Sequence, residues 1–199
     1  MKKTFLFILS IFTLSFLSIA CEDKEKQQQA EQERYTKHQD SVFKYLEANW
    51  KIDIPETSQE LTDILSKWNA WKEFKQEAEL KPVTSIDAYQ KKIAQIDNRL
   101  QSITFVKYPV EIDEKDNKAR LTVLYNSVKN LNMFLNLDPI EIGKVDMYLK
   151  ETNKNITLLI KNMERNLQAK KIPLELGEEE MLELINEERR ANPDEQTEE

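Results

Sequence analysis

The residue types that most often do chemistry are scarce in this chain. Cys21 and His38 are its only cysteine and histidine, which excludes zinc sites built on those ligands and any intrachain disulfide. A di-iron bundle needs Glu-x-x-His pairs, and the residue three before His38 is Tyr35. With no nucleophile pattern beside it, His38 is expected to be a packed or solvated imidazole. The two glycines, Gly143 and Gly177, are too far apart to cradle a phosphate or turn beneath a dinucleotide. The run Glu178-Glu179-Glu180 points its carboxylates in different directions on a helix, so it complements a helix amino end better than it gathers a cation. These patterns imply no catalytic residues, no metal site and no cofactor, so the expected protein is not an enzyme.

What remains is aromatic and apolar. Trp68, Trp71 and Phe74 recur at helical spacing, which predicts core; with Tyr89 the two tryptophans could instead wall a ligand cavity between helices. The stretch Phe105 to Ile112 is more apolar than a solvated loop needs. It is expected to plug one end of the fold, and Phe105, Val106, Tyr108 and Ile112 are the candidate partner contacts. Net charge is −7, which repels phosphate backbones and anionic headgroups, so nucleic-acid binding is not expected.

The amino terminus carries a different kind of signal. Lys2 and Lys3 precede an apolar run from Phe5 to Ala20, interrupted by four hydroxyl residues and ending at Cys21. A cationic start, an apolar middle and a small residue before the break are the parts of a secretory signal. Leu17-Ser18-Ile19-Ala20-Cys21 resembles a bacterial lipobox, with Leu17 one position further from the cysteine than usual. The resemblance covers residues 1–21 and implies that residues 1–20 are a signal peptide, cut before Cys21, whose sulfur then takes a diacylglyceryl group. Several acyl chains on one residue exceed what stable anchoring requires, at about 0.8 kcal/mol per buried methylene.

Residues 21–34 contain no large apolar side chain and read as a polar tether, roughly 20 Å long if helical and about 45 Å if extended. Acidic residues directly after the cysteine are similar to the surface-export signal of Bacteroidota lipoproteins. Asp40-Ser41-Val42 resembles the short O-glycosylation motif of exported proteins in that phylum. Asn155-Ile156-Thr157 fits the N-glycosylation pattern but falls on a helix seam and is discounted.

Five segments must position whatever the chain presents. A lead helix carries Tyr35, Val42, Tyr45, Leu46 and Trp50 on one face. Thr57-Ser58-Gln59-Glu60 has the form of a capping box, predicting a helix from Thr57 to Lys81-Pro82. Thr84 or Ser85 caps the next, whose seam is Ile86, Tyr89, Ile93, Ile96, Leu100 and Ile103. Asp113 opens a fourth, bearing Leu121, Leu124, Val128, Leu131 and Leu135. Asp138-Pro139-Ile140-Glu141 combines three start signals for the fifth, with its seam at Ile142, Val145, Leu149, Thr152, Ile156, Leu159, Met163 and Leu167.

The pattern predicts an all-α protein: an antiparallel up-down bundle of about four long helices over residues 35–190, with the lead helix before it and a short helix over 178–190. An acidic tail, 191–199, is expected to be disordered. The whole is similar in style to small helical lipoproteins of the Bacteroidota. It implies a cell-envelope protein, in the outer membrane, held by its lipid and acting as a non-enzymatic interaction or structural module for an envelope protein. The alternative is a carrier binding a small ligand or metal between Trp68, Trp71 and Tyr89.

Overall fold

The computed structural model describes residues 2–171 and residue 181, with side chains placed from residue 24 onward. Among the described residues the protein is all-α, with six helices, one 3₁₀ turn and no strand. The helices are α1 (Lys2–Asn49), α2 (Gln59–Lys67), α3 (Asn69–Glu79), α4 (Ile86–Phe105), α5 (Lys115–Leu135) and α6 (Ile142–Ala169), and the 3₁₀ turn is Val110–Ile112. The expected short helix over 178–190 and the tail 191–199 lie outside the described residues, apart from an exposed Met181.

Helix α5 packs against both α4 and α6, α3 packs on α4, and α1 touches α4 and α6. The three-four spacing of apolar residues is what makes this possible, because it brings every seam residue back to one side of its helix. Tyr89, Ile93, Ile96, Leu100 and Ile103 of α4 are fully buried. So are Leu124, Val128, Leu131 and Leu135 of α5 and Ile156, Leu159 and Met163 of α6. Each buried aliphatic side chain contributes about 1.5–3 kcal/mol over leaving it exposed.

Side-chain bonds fix the register between neighbours. Gln90 in the second turn of α4 donates to the Leu135 carbonyl at the end of α5, at 2.9 Å, and Asn132 donates to Asp97 at 3.1 Å. The start of α5 meets the latter half of α6, where Asp116 accepts from Arg165 and Asn166, each at 3.0 Å. Glu77 of α3 takes Lys92 of α4 at 2.5 Å, and Glu73 takes Arg99 at 2.7 Å.

The chain after α1 follows α6 step by step. His38 donates Nε2–H to the Ile140 carbonyl at 3.0 Å and Tyr45 donates to Asp146 at 2.6 Å. The Asp53 amide donates to Asn153 at 2.7 Å, Ser58 donates to Glu164, and Lys171 reaches Glu60. Partners advance together along both segments, so α1, the extended stretch 50–58 and α2 climb α6 in its own direction. Residues 24–34 precede this ladder as an exposed part of α1, the helical form of the expected tether.

Helix ends depart from the sequence pattern in four places. The single helix expected from Thr57 to Lys81 is two, because Trp68 adopts an extended backbone (φ −90°, ψ 97°) between α2 and α3. That kink turns the Trp68 ring toward Tyr108 while Trp71 and Phe74 stay on the core side. The cap of α2 is Ser58 rather than Thr57: Ser58 accepts from the Leu61 amide, Thr57 bonds Thr62 instead, and Glu60 serves Lys171. Helix α5 starts at Lys115, with Asp113 paired to Lys118. Helix α6 starts at Ile142 rather than at Pro139, because Ile140 is drawn into the core and its carbonyl is taken by His38. By contrast Ser85 caps α4, accepting from the Ala88 amide at 3.2 Å.

Candidate functional site

The connection between α4 and α5 builds the end of the molecule that α2 and the last turns of α6 also reach. After Phe105 the backbone becomes extended at Val106, then Pro109 starts the 3₁₀ turn, with the Ile112 amide returning to the Pro109 carbonyl at 3.0 Å. The Ile112 carbonyl accepts both the Glu114 amide at 2.9 Å and Asn117 Nδ2 at 3.0 Å. A pinned turn of this kind sorts its side chains sharply. Ile112 is fully buried and Tyr108 is 7% exposed, whereas Phe105 is 82% exposed and Val110 74%.

Of the four candidate contacts, then, Tyr108 and Ile112 seal the core from above and cannot offer contact area. Phe105 and Val106 face outward, joined by Val110. The sequence carried a signal for the division: Pro109 followed by a short turn rotates residue 110 away from its neighbours 108 and 112.

Beneath the turn lies an aromatic ladder. The Tyr108 ring sits 4.8 Å from Trp68, Trp68 is stacked 6.4 Å from Trp71 with 12° between planes, and Trp71 is 5.2 Å from Phe74. Lys118 stands over the outer side of Tyr108 at 5.4 Å. Burial pushes the Tyr108 hydroxyl up to about 12, with the Asp113 carboxylate adding to the shift. The tyrosine is therefore neutral at any physiological pH and acts as a packing element.

Two hollows flank the ladder. One of about 530 Å³ is bounded by Ile64, Trp68, Tyr108 and Pro109, with Lys67 and Lys107 on its rim. The other, about 450 Å³, is bounded by Phe105, Val106, Tyr108 and Leu121. A separate cavity of about 590 Å³ lies along α3, bounded by Ile54, Pro55, Leu65, Trp71, Lys72 and Lys75. Trp68 and Trp71 thus open onto different spaces. Tyr89 joins neither, its ring packing on Trp50 at 5.2 Å and Phe43 at 6.4 Å.

The remaining candidates sit elsewhere. Cys21 falls within α1, and its side chain lies outside the described residues, as do Glu178, Glu179 and Glu180. His38 is half-buried and spends its ring N–H on Ile140. Ser41 is exposed and donates to the Lys37 carbonyl, and Asn155 is buried on the α6 seam. Among the described residues no group of three or more His, Cys, Asp or Glu side chains could hold a metal ion, and no helix is long and apolar enough to cross a membrane. Compared with known proteins, the chain matches no family model, no curated protein and no solved structure.

Proposed function

We propose that this is a lipid-anchored protein of the bacterial cell envelope, attached through Cys21, whose helices form an antiparallel up-down bundle presenting a protein-contact surface. The reversed pairings of α3 with α4, α4 with α5 and α5 with α6 favour that topology. One observation carries the functional reading. The exposed part of α1 joins the fold where His38 meets Ile140, at the start of α6, while Phe105 and Val110 stand by its far end, where Lys170 holds Glu111. At about 1.5 Å per residue, α6 separates the two by roughly 40 Å. A tether at one end and outward apolar side chains at the other suit a module held on a membrane and reaching away from it.

The test has two arms. Growth with an alkyne-bearing fatty acid labels the native protein, and Cys21→Ala abolishes the label and releases the protein from membranes. Capture from detergent-solubilised envelope then recovers a partner with the native chain and loses it with Phe105→Asp/Val110→Asp. An unlabelled native protein would refute the anchor, and capture indifferent to the double variant would refute the surface.

A second reading has the cavity beside Trp71 in its favour. Its volume and mixed lining of Leu65, Ile54, Lys72 and Lys75 suit a small amphiphilic ligand, as in a carrier. Lys72→Glu/Lys75→Glu, on the exposed wall of that cavity, separates the two, since it removes ligand binding under this reading and leaves partner capture in place.

A further inference from the structure

Asn153 of α6 treats the extended stretch 50–58 as a neighbouring strand would. Its side chain accepts from the Asp53 amide and donates to the Lys51 carbonyl, each at 2.7 Å. One residue of a parallel strand makes that same pair of bonds across a ladder. Successive residues of an extended backbone direct their N–H and C=O groups to opposite edges, so Lys51 and Asp53 face α6, and Ile52 and Ile54 face away from it. Pro55 falls on the α6 edge, so its missing N–H takes no donor from the other. Among the described residues the main-chain groups of Ile52 and Ile54 have no hydrogen-bond partner, although Ile52 is only 6% exposed and Ile54 is half-buried. Buried main-chain donors and acceptors are nearly always paired, so this edge is missing its counterpart.

There is room for one. The 590 Å³ cavity separates Ile54 and Pro55 from Trp71, Lys72 and Lys75 of α3, and a second, of about 270 Å³, separates Trp50 and Ile52 from Ala78. Ile54 and Glu79 line both, so the two join into one groove between the stretch and α3. We propose that this groove takes an extended segment of another polypeptide, which adds to the open edge as a strand and bonds the main chain of Ile52 and Ile54. Hydrogen bonding does the recognising, because the other forces are weak here. Trp71 at 2% and Leu65 at 5% exposed close the floor and offer little apolar area. Charge around the larger cavity is even: Lys75 pairs with Glu79 at 3.7 Å, and Lys72 and Glu56 leave one charge of each sign. The fitting occupant is therefore an uncharged peptide of β-branched and small residues, which adopts extended backbone readily. The proposal rests on the second reading above in one respect, that the cavity beside Trp71 is a ligand site, and it names a polypeptide as what enters. It depends on neither the lipid nor Phe105.

Amide exchange followed by NMR on the full chain in lipid nanodiscs reads the contact residue by residue. The probe is an acetylated, amidated peptide of alternating threonine and valine, about seven residues long, which spans the groove at about 3.3 Å per residue. It is expected to bind saturably and to slow exchange of the Ile52 and Ile54 amides about 10-fold. The same peptide with every amide N-methylated has lost its donors and is expected to bind at least about 10-fold more weakly. Lys72→Glu/Lys75→Glu, on the exposed wall, is expected to leave affinity for the unmethylated peptide within about threefold, since exposed charges contribute little to main-chain pairing. Main-chain recognition tolerates many sequences, so absence of saturable binding overturns the proposal. So does binding that leaves the Ile52 and Ile54 amides unprotected, or binding that the methylated peptide matches. Octanoate titrated in parallel separates the two ideas: if it binds and the peptide does not, the carrier reading stands and the strand site falls, and if neither binds, both fall.

Discussion

Asn162 of α6 donates its side-chain amide to the side-chain carbonyl of Asn117 of α5 at 2.7 Å, with both residues buried between the helices. Asn117 passes its own amide to the Ile112 carbonyl, and Arg165 donates to Asn162 Oδ1, so the pair ties the seam of α5 and α6 to the turn that carries Val110. Asp116 beside it is affected by burial, which raises its pKa, but hydrogen bonds from Asn162, Asn166 and Arg165 hold it below the usual carboxylate value. Asn117→Ala strips Asn162 of its acceptor, and the stranded donor is expected to cost about 1–3 kcal/mol in denaturant unfolding. Replacing both with leucine removes donor and acceptor together and is expected to recover much of that loss. If the double leucine variant loses as much stability as Asn117→Ala alone, the pair contributes net attraction rather than only avoiding a penalty.

The seams were legible because heptad spacing is a local property: all eight residues named for α6 lie on its packed side, only Ile142 short of full burial. Of the two caps expected for α4, Thr84 or Ser85, it is Ser85 that accepts from the Ala88 amide. What the pattern missed came from distant residues. Nothing near Asp138-Pro139 shows that His38 takes the Ile140 carbonyl, and nothing between Thr57 and Lys81 shows that Tyr108 packs on Trp68 from across the fold. Local start signals lost at both places to tertiary packing. The candidate surface was half legible for a similar reason: apolar content marked the 105–112 stretch, but only the pinned 3₁₀ turn decides which of its side chains face out.

Trp68 sits in a kink that a continuous helix would not have, between Trp71 and Tyr108. Trp68→Ala deletes the rung between Trp71 and Tyr108 and leaves Tyr108 without its neighbouring ring. A loss of about 3–5 kcal/mol is expected from large-to-small truncation of a buried aromatic, measured by urea unfolding. Little change in unfolding would show that the Trp68 rung contributes no net packing.

Tyr108 ties stability to alkaline pH. Its folded pKa is raised to about 12, against about 10 for an exposed tyrosine, so the folded state holds its proton where the unfolded chain has released it. Stability from this group is complete below pH 10 or so and is lost as pH climbs through about 12. Burial, a hydrogen bond to Asp146 and the charge of that carboxylate raise Tyr45 as well, so its ionisation is also delayed. Tyrosinate absorbance should rise in two stages, with the late stage coinciding with unfolding. Tyr108→Phe keeps the ring on Trp68 and is expected to shift the alkaline midpoint upward while leaving neutral-pH stability within about 1 kcal/mol.

Phe105 and Ile112 lie seven positions apart on one connection and make opposite predictions. Phe105 is almost wholly exposed, so Phe105→Asp removes little packing and is expected to change unfolding by no more than about 0.5 kcal/mol. Its effect should appear in partner capture alone. Ile112 is fully buried above the α5 and α6 seam, and Ile112→Ala is expected to cost about 2–5 kcal/mol by transfer and cavity terms together. Some weakening of capture would follow, because the turn carrying Val110 loses its anchor. Capture measured against stability across the two variants therefore separates a surface that binds from a plug that merely seals. If Phe105→Asp leaves capture intact while Ile112→Ala abolishes it, the apolar turn is there to close the bundle, and the binding surface must be sought on another face.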